Sequence, residues 1–137
     1  MQLRRHWRRQ KESNESEDRF QKVFRSSPVP FSITTYKEGK FVDLNAAFER
    51  RYGYSREELV GHTVHELRIW EDPADRAYML AQLQRGGPIR NIVTRLRTKS
   101  GEIKVTAHSA DKIQFDGQAC ILAVSEDVPQ YDPHKSN

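Results

Sequence analysis

The spacing of apolar positions changes character several times along the chain, and each change predicts an element. Phe20, Val23 and Phe24 fall at helical spacing at the end of a polar stretch, and Pro28 and Pro30 stop the helix they imply. From Phe31 the period drops to two. Phe31-Ser-Ile-Thr-Thr-Tyr36 alternates and is rich in aromatic and β-branched residues, so it predicts a strand. Glu38-Gly39 supplies a turn, and Lys40-Phe-Val-Asp-Leu44 returns as the second arm of a hairpin. Asn45 is placed to cap a helix over Ala46–Tyr52, which Gly53 ends; Phe48 and Tyr52, four apart, point into one apolar space. Ser55 caps a second short helix from Arg56 to Val60, with Glu58 completing a capping box and Gly61 closing it.

Residues 62–72 read as an irregular or short helical link carrying Leu67, Ile69 and Trp70. Asp72 and Pro73 then start a longer helix to about Gln84, with Tyr78, Met79, Leu80, Ala81 and Leu83 as its apolar side and Gly86-Gly87-Pro88 as its stop. Three strands follow, at about 89–98, 102–114 and 118–126, separated by the turn signals Ser100-Gly101 and Asp116-Gly117. The last, Ala119-Cys-Ile-Leu-Ala-Val124, is apolar on both faces, as a central strand covered on both sides would be. The order β-β-α-α-α-β-β-β predicts an α+β fold: a five-stranded antiparallel sheet with short helices on one face. The N-terminal helix is available to cover the other face.

Composition narrows the class. A chain of 137 residues fits one domain. Its mean hydropathy of −0.85 and 31% charged residues suit a compact domain with polar ends: a basic linker or helix at 1–15, a domain at 16–128 and a flexible tail at 129–137. The single cysteine, Cys120, excludes an intramolecular disulfide and a cysteine metal cluster, which suits the reducing cytoplasm. No apolar run reaches the length of a membrane span. The net charge of +4 belongs to one end. Residues 1–11 hold five basic residues and no acid; the other 18 basic residues face 19 acids, a net −1 for residues 12–137. A whole-domain nucleic-acid surface is therefore not expected. The cluster Arg4, Arg5, Trp7, Arg8 and Arg9 instead matches the cytoplasmic flank of a membrane span, basic with an interfacial Trp. It predicts a juxtamembrane anchor, the chain being the cytoplasmic portion of an inner-membrane sensor, in preference to a nucleic-acid arm.

The run Phe41-Val-Asp-Leu-Asn-Ala-Ala-Phe-Glu-Arg-Arg-Tyr-Gly-Tyr-Ser-Arg-Glu-Glu-Leu-Val-Gly61, with Ser16-Glu-Asp-Arg-Phe20, Phe24 and Ser27-Pro28 before it and Lys99-Ser-Gly101 after it, resembles the PAS family of bacterial-type sensors over about residues 16–128. The resemblance implies strand order 2-1-5-4-3, with helices enclosing a pocket against the sheet. It also implies a signalling role without catalysis, and an effector elsewhere in the polypeptide, such as a histidine kinase or cyclic-dinucleotide enzyme. Pairing through the N-terminal helix makes Phe20, Val23 and Phe24 the candidate homodimer residues. The family's Asp-x-Thr exit is represented by Asp127-Val128 followed by Pro129, without the Thr.

Candidates for the pocket, which would take an unidentified small molecule, are Phe48, Tyr52, Trp70, Met79, Leu83, Leu96 and Val105, with Thr94 as a polar member; packed core is the competing reading. Cys120 in an apolar strand reads as a small buried hydrophobe, and the helical Asn-Cys-Arg type of motif that a photoactive flavin site requires is missing. His62 and His65 lack a third ligand at metal spacing, and His108, mid-strand, is taken as a surface or hydrogen-bonded histidine. Asp72 and Asp75 fit a helix start rather than a catalytic pair. No cofactor is assigned. A ligand-sensing module is expected, ahead of a purely dimerising module with a filled core and of a haem- or flavin-dependent sensor.

Overall fold

The structure, a computed structural model, describes residues 18, 19 and 21–128. The basic cluster at 1–11, Phe20 and the C-terminal tail lie outside the described residues. A first helix, α1, covers 21–26. Then come β1 (Phe31–Thr35), β2 (Phe41–Leu44), α2 (Ala46–Tyr52), α3 (Arg56–Leu59), α4 (Pro73–Gln84), β3 (Ile89–Arg97), β4 (Ile103–Phe115) and β5 (Gln118–Asp127). The strands form one antiparallel sheet in the order β2-β1-β5-β4-β3, so the doubly apolar strand is indeed the central one.

The helix ends form where their capping chemistry predicts. Asn45 stands in extended backbone and accepts from the Phe48 N–H, and Gly53 closes α2 in the left-handed region at φ 79°. Ser55 and Glu58 make both halves of a capping box on α3. Asp72 accepts from the Ala74 N–H at 3.0 Å ahead of Pro73 at the first helical position. The Asn45 amide does more than cap. Its oxygen also accepts from the Phe31 N–H at 3.0 Å, and its nitrogen donates to the carbonyls of Phe24 and Val29, both at 2.9 Å. One buried side chain thus ties α1, the Pro-containing turn, β1 and α2 together.

The link at 61–72 is not helical; it fastens both edges of the sheet. Beside β2, the Phe41 N–H donates to His62, the Gly61 N–H to Phe41 and the Val64 N–H to Gly39. Beside β3, the Glu71 N–H donates to Arg95 and the Arg97 N–H to Ile69, around a Trp70–Leu96 bridge. Each edge strand is thereby paired along part of its length, which shortens its open stretch. In crossing from one edge to the other, the link carries Val64, Ile69 and Trp70 over the inner face of the sheet.

Two apolar clusters lie on opposite faces. The larger holds Phe41, Leu44, Phe48, Tyr52, Leu59, Trp70, Met79, Leu83 and Leu96 beneath the helices. The smaller holds Phe24, Ile33 and Cys120, with Phe31, Val42, Ile113, Phe115 and Leu122 against it. Phe24 stacks on Phe31 with ring centroids 5.9 Å apart, so α1 covers part of the outer face. The apolar side expected of α4 requires correction. Met79 and Leu83 are buried and Leu80 partly so, but Tyr78 and Ala81 face solvent; the third buried position on the stripe is Arg76. Positions 76, 79 and 83 lie on one helical face, and a long cation occupies one of them.

Candidate functional site

Between α4, the link and the inner face of the sheet lies a cavity of about 30 Å³. Its apolar wall includes Phe41, Phe48, Val64, Ile69, Trp70, Met79, Leu96 and Ile121. Its polar lining consists of Ser32 and Thr34 on β1, His108 on β4, Ser125 on β5 and Arg76 on α4. Strand alternation explains the set. Residues 32 and 34, 106 and 108, and 121, 123 and 125 all point to the inner face, and His108 lies opposite Ile92 on one side and Ser125 on the other.

The two ionisable groups of the lining are both buried and poorly partnered. Arg76 is 4% exposed; its Nη2 donates to the Tyr36 carbonyl at 3.2 Å, and no ion pair among the described residues includes it. Desolvation lowers its pKa, opposed by the neighbouring Tyr36, and a guanidinium remains charged throughout the biological range. Gly39 allows this placement: a Cβ there would stand 2.7 Å from Val64 Cγ2 and 3.0 Å from Arg76 Nη2. His108 is likewise 4% exposed, and neither ring nitrogen has a hydrogen-bond partner among the described residues. Its ring lies 5.3 Å from that of Trp70. Burial pushes its pKa down to about 4, so the imidazole is neutral at pH 7. The arrangement is therefore a fixed cation and a neutral imidazole with one N–H to donate, set beside three hydroxyls in an otherwise apolar chamber.

The model of the PAS fold matches residues 18–128. The chain belongs to the PAS family. Solved PAS-type structures superpose over most of its length. A domain of a sensory box sensor histidine kinase/response regulator from Geobacter sulfurreducens covers 82% of this chain and 94% of its own, at 23% identity and a TM-score of 0.65. The PAS domain of an HTR-like protein from Haloarcula marismortui covers 88% and 98%, at 21% identity and 0.67. The PAS domain of nitrogen regulation protein NR(II) from Vibrio parahaemolyticus covers 77% and 94%, at 16% identity and 0.64. No curated protein sequence gives a significant match.

Within this PAS domain the candidate pocket residues separate. Phe48, Trp70, Met79 and Leu96 line the cavity. Tyr52 and Leu83 are buried in the same cluster but not on the cavity wall. Thr94 is buried on the inner face, its hydroxyl without a partner among the described residues, and it too lies off the wall. Val105 alternates with the inward Thr106 and so lies on the outer face, half-buried, away from the chamber. Of the helix candidates, Phe24 is buried against its own sheet and Val23 is 63% exposed, while Phe20 lies outside the described residues. Arg4, Arg5, Trp7, Arg8 and Arg9 lie outside them too.

The structure corrects the expectation for His108: it is buried, and among the described residues it has no hydrogen-bond partner. Arg76 is a second lining residue outside the sequence-based expectation. Two signals pointed to them. His108 keeps inward register with Thr106 and Ala110 along β4, and Arg76 keeps helical register with Met79 and Leu83. His62 is half-exposed and pairs with Glu66 at 3.0 Å, and no group of three metal-ligating side chains forms among the described residues. Cys120 is buried, its thiol pKa raised by desolvation and, less, by Asp116.

Proposed function

We propose that this PAS domain is a sensory module that binds a small molecule in the chamber under α4 and passes a conformational change to an effector domain, as a homodimer. The observation that carries the reading is the pair of buried residues Arg76 and His108 on the wall of one internal cavity: among the described residues the His108 ring nitrogens have no partner, and Arg76 has one backbone carbonyl and no counter-ion. A purely packed core gains nothing from a charged side chain at a position where Leu or Met would fill the same stripe. The mechanism is a population shift. A ligand that touches α4 and the link favours one arrangement of these elements over the sheet, by as much as it binds that arrangement better. The effector would be a kinase or cyclic-dinucleotide enzyme, with the domain held on the cytoplasmic side of a membrane by its basic N-terminal cluster.

One observation favours a second reading. A chamber of about 30 Å³ is small, and Phe48, Tyr52 and Leu83 pack tightly beside it, as in a dimerising module without a ligand. Native mass spectrometry of the purified full chain distinguishes the two, with an absorbance spectrum to exclude haem or flavin. Recovery of a stoichiometric small molecule supports sensing; a homodimer with no bound molecule and no saturable ligand supports the second reading.

A further inference from the structure

The chamber's charge, size and mouth together specify a ligand class. Arg76 places one positive charge at the edge of the apolar chamber, its Nη2 held by the Tyr36 carbonyl, and among the described residues no carboxylate pairs with it. An uncompensated buried cation is unfavourable, and a guanidinium is best matched by a planar oxyanion that accepts two parallel N–H bonds. The neutral His108 adds one N–H donor and no charge, and Ser32, Thr34 and Ser125 add hydroxyls, so the site balances a single negative charge. Size sets the second limit. A water needs roughly 10–15 Å³ on the same measure, so about 30 Å³ admits two or three heavy atoms, with a fourth at the expense of a small shift of Met79. Phosphate and sulfate are excluded on both counts, by volume and by a second charge with no cation to meet it.

The mouth agrees with this. Val64 and Trp70 divide the chamber from a surface pocket of about 160 Å³ whose rim carries His65, Arg68, Glu71 and Arg97. Two arginines against one acid make that rim basic, and Glu71 is within ion-pair distance of Arg95 at 3.9 Å, which offsets its charge. Such a rim concentrates anions at the entrance. Arg68 holds the link there in the left-handed region at φ 54°, with its carbonyl accepting from Arg97 Nη1 at 2.6 Å. The wall that must part to admit a ligand is therefore the link segment bearing Trp70.

We propose that the chamber binds a one- or two-carbon carboxylate anion, formate or acetate in size, gripped by the Arg76 guanidinium and a His108 N–H. This rests on the sensory reading above and specifies its ligand.

The test uses the purified full chain in a buffer free of carboxylates. Sodium formate and sodium acetate are titrated at constant ionic strength against sodium chloride, with formamide and acetamide as neutral counterparts of the same shape. The readouts are the melting temperature and the line width of ¹³C-labelled formate. The expected result is a saturable rise in melting temperature and broadening of the formate signal by the wild type, with no effect of either amide. Arg76→Met, which keeps length and apolar character, should weaken formate binding about tenfold or more, the scale of one charged hydrogen bond. Should that variant fail to fold, the wild-type contrast between carboxylate and amide decides alone. Equal effects of the amides, or recovery of a neutral molecule from the chamber, overturn the carboxylate assignment while the sensory reading stands. No saturable response to any probe, together with no co-purified molecule, overturns both.

Discussion

His108 and Asn45 are both polar, both buried and both on the path between helices and sheet, yet they act in opposite ways on stability. Burial holds the His108 imidazole neutral in the fold by lowering its pKa from 6.5 to about 4, whereas the unfolded chain regains the ordinary value. Between those two values the unfolded chain binds the extra proton, so stability from this group is complete above about pH 6.5. It falls as the pH drops toward 4, by about 3 kcal/mol in all. The charged group that shares the chamber with it is Arg76, and among the described residues no acid lines the wall to relieve a second positive charge. Urea midpoints measured from pH 7.5 to 4 in carboxylate-free buffers should therefore fall faster for wild type than for His108→Leu, so the two curves converge if the wild type starts the more stable and diverge if it does not. Parallel curves would show that the imidazole protonates freely. Asn45, by contrast, has its oxygen accepting twice and its nitrogen donating twice. Asn45→Ala removes all four bonds and leaves buried backbone groups unpaired, so it should cost about 3 kcal/mol in chemical denaturation. Asn45→Asp keeps the two accepted bonds but cannot donate to the Phe24 and Val29 carbonyls. Its signature should be faster amide exchange across residues 21–29 than in wild type.

At the scale of elements, what the chain's pattern revealed and what it hid have one physical cause. Caps, turns and strand alternation depend on near neighbours, so Asn45, Ser55 with Glu58, Asp72 with Pro73 and the central strand β5 were all legible before any fold was known. Which side of an element faces what depends on distant residues. The face of α4 is set by Gly39 and Tyr36 some forty residues earlier, whose turn accepts the Arg76 guanidinium, and apolarity alone selected Tyr78 and Ala81 instead. The link at 61–72 lacks a period because its backbone bonds go outward to β2 and β3 rather than along itself. The first helix shows the same division: Phe20, Val23 and Phe24 share a spacing, but Phe24 is taken up by Phe31, Ile33 and Cys120 of its own chain while Val23 is exposed. Phe24→Ala should thus destabilise the monomeric fold by about 3–5 kcal/mol, and Val23→Ser by less than about 0.5 kcal/mol, in thermal or urea unfolding. Equal losses at both positions would mean that the helix buries both through a partner.

For the whole molecule, the decisive feature is that the chain enters and leaves the sheet at the same end. Phe31 pairs with Val124, the Ser125 N–H donates to the Pro30 carbonyl, and Asn45 binds the end of α1 beside them. Arg51 on α2 reaches across to Asp127 at the exit of β5 and donates to Thr106 on β4. These contacts link the helical layer to both ends of the domain, the path along which the proposed conformational change would travel. The proposed membrane role assigns the N-terminal segment to location rather than to folding. Its five basic residues lie outside the patterned core, and the rest of the chain is close to neutral, so affinity for an anionic surface must come from residues 1–11. Each basic residue near such a bilayer contributes about 1 kcal/mol, lost as salt screens it. Deleting residues 1–11 should accordingly leave the melting temperature nearly unchanged. It should abolish co-sedimentation with phosphatidylserine-containing vesicles at low salt, binding that the full chain should show and lose as salt is added. Indifference of the full chain to those vesicles at low salt would remove the membrane role from the N-terminal cluster. A fall in melting temperature on deletion would instead show that residues 1–11 pack on the domain.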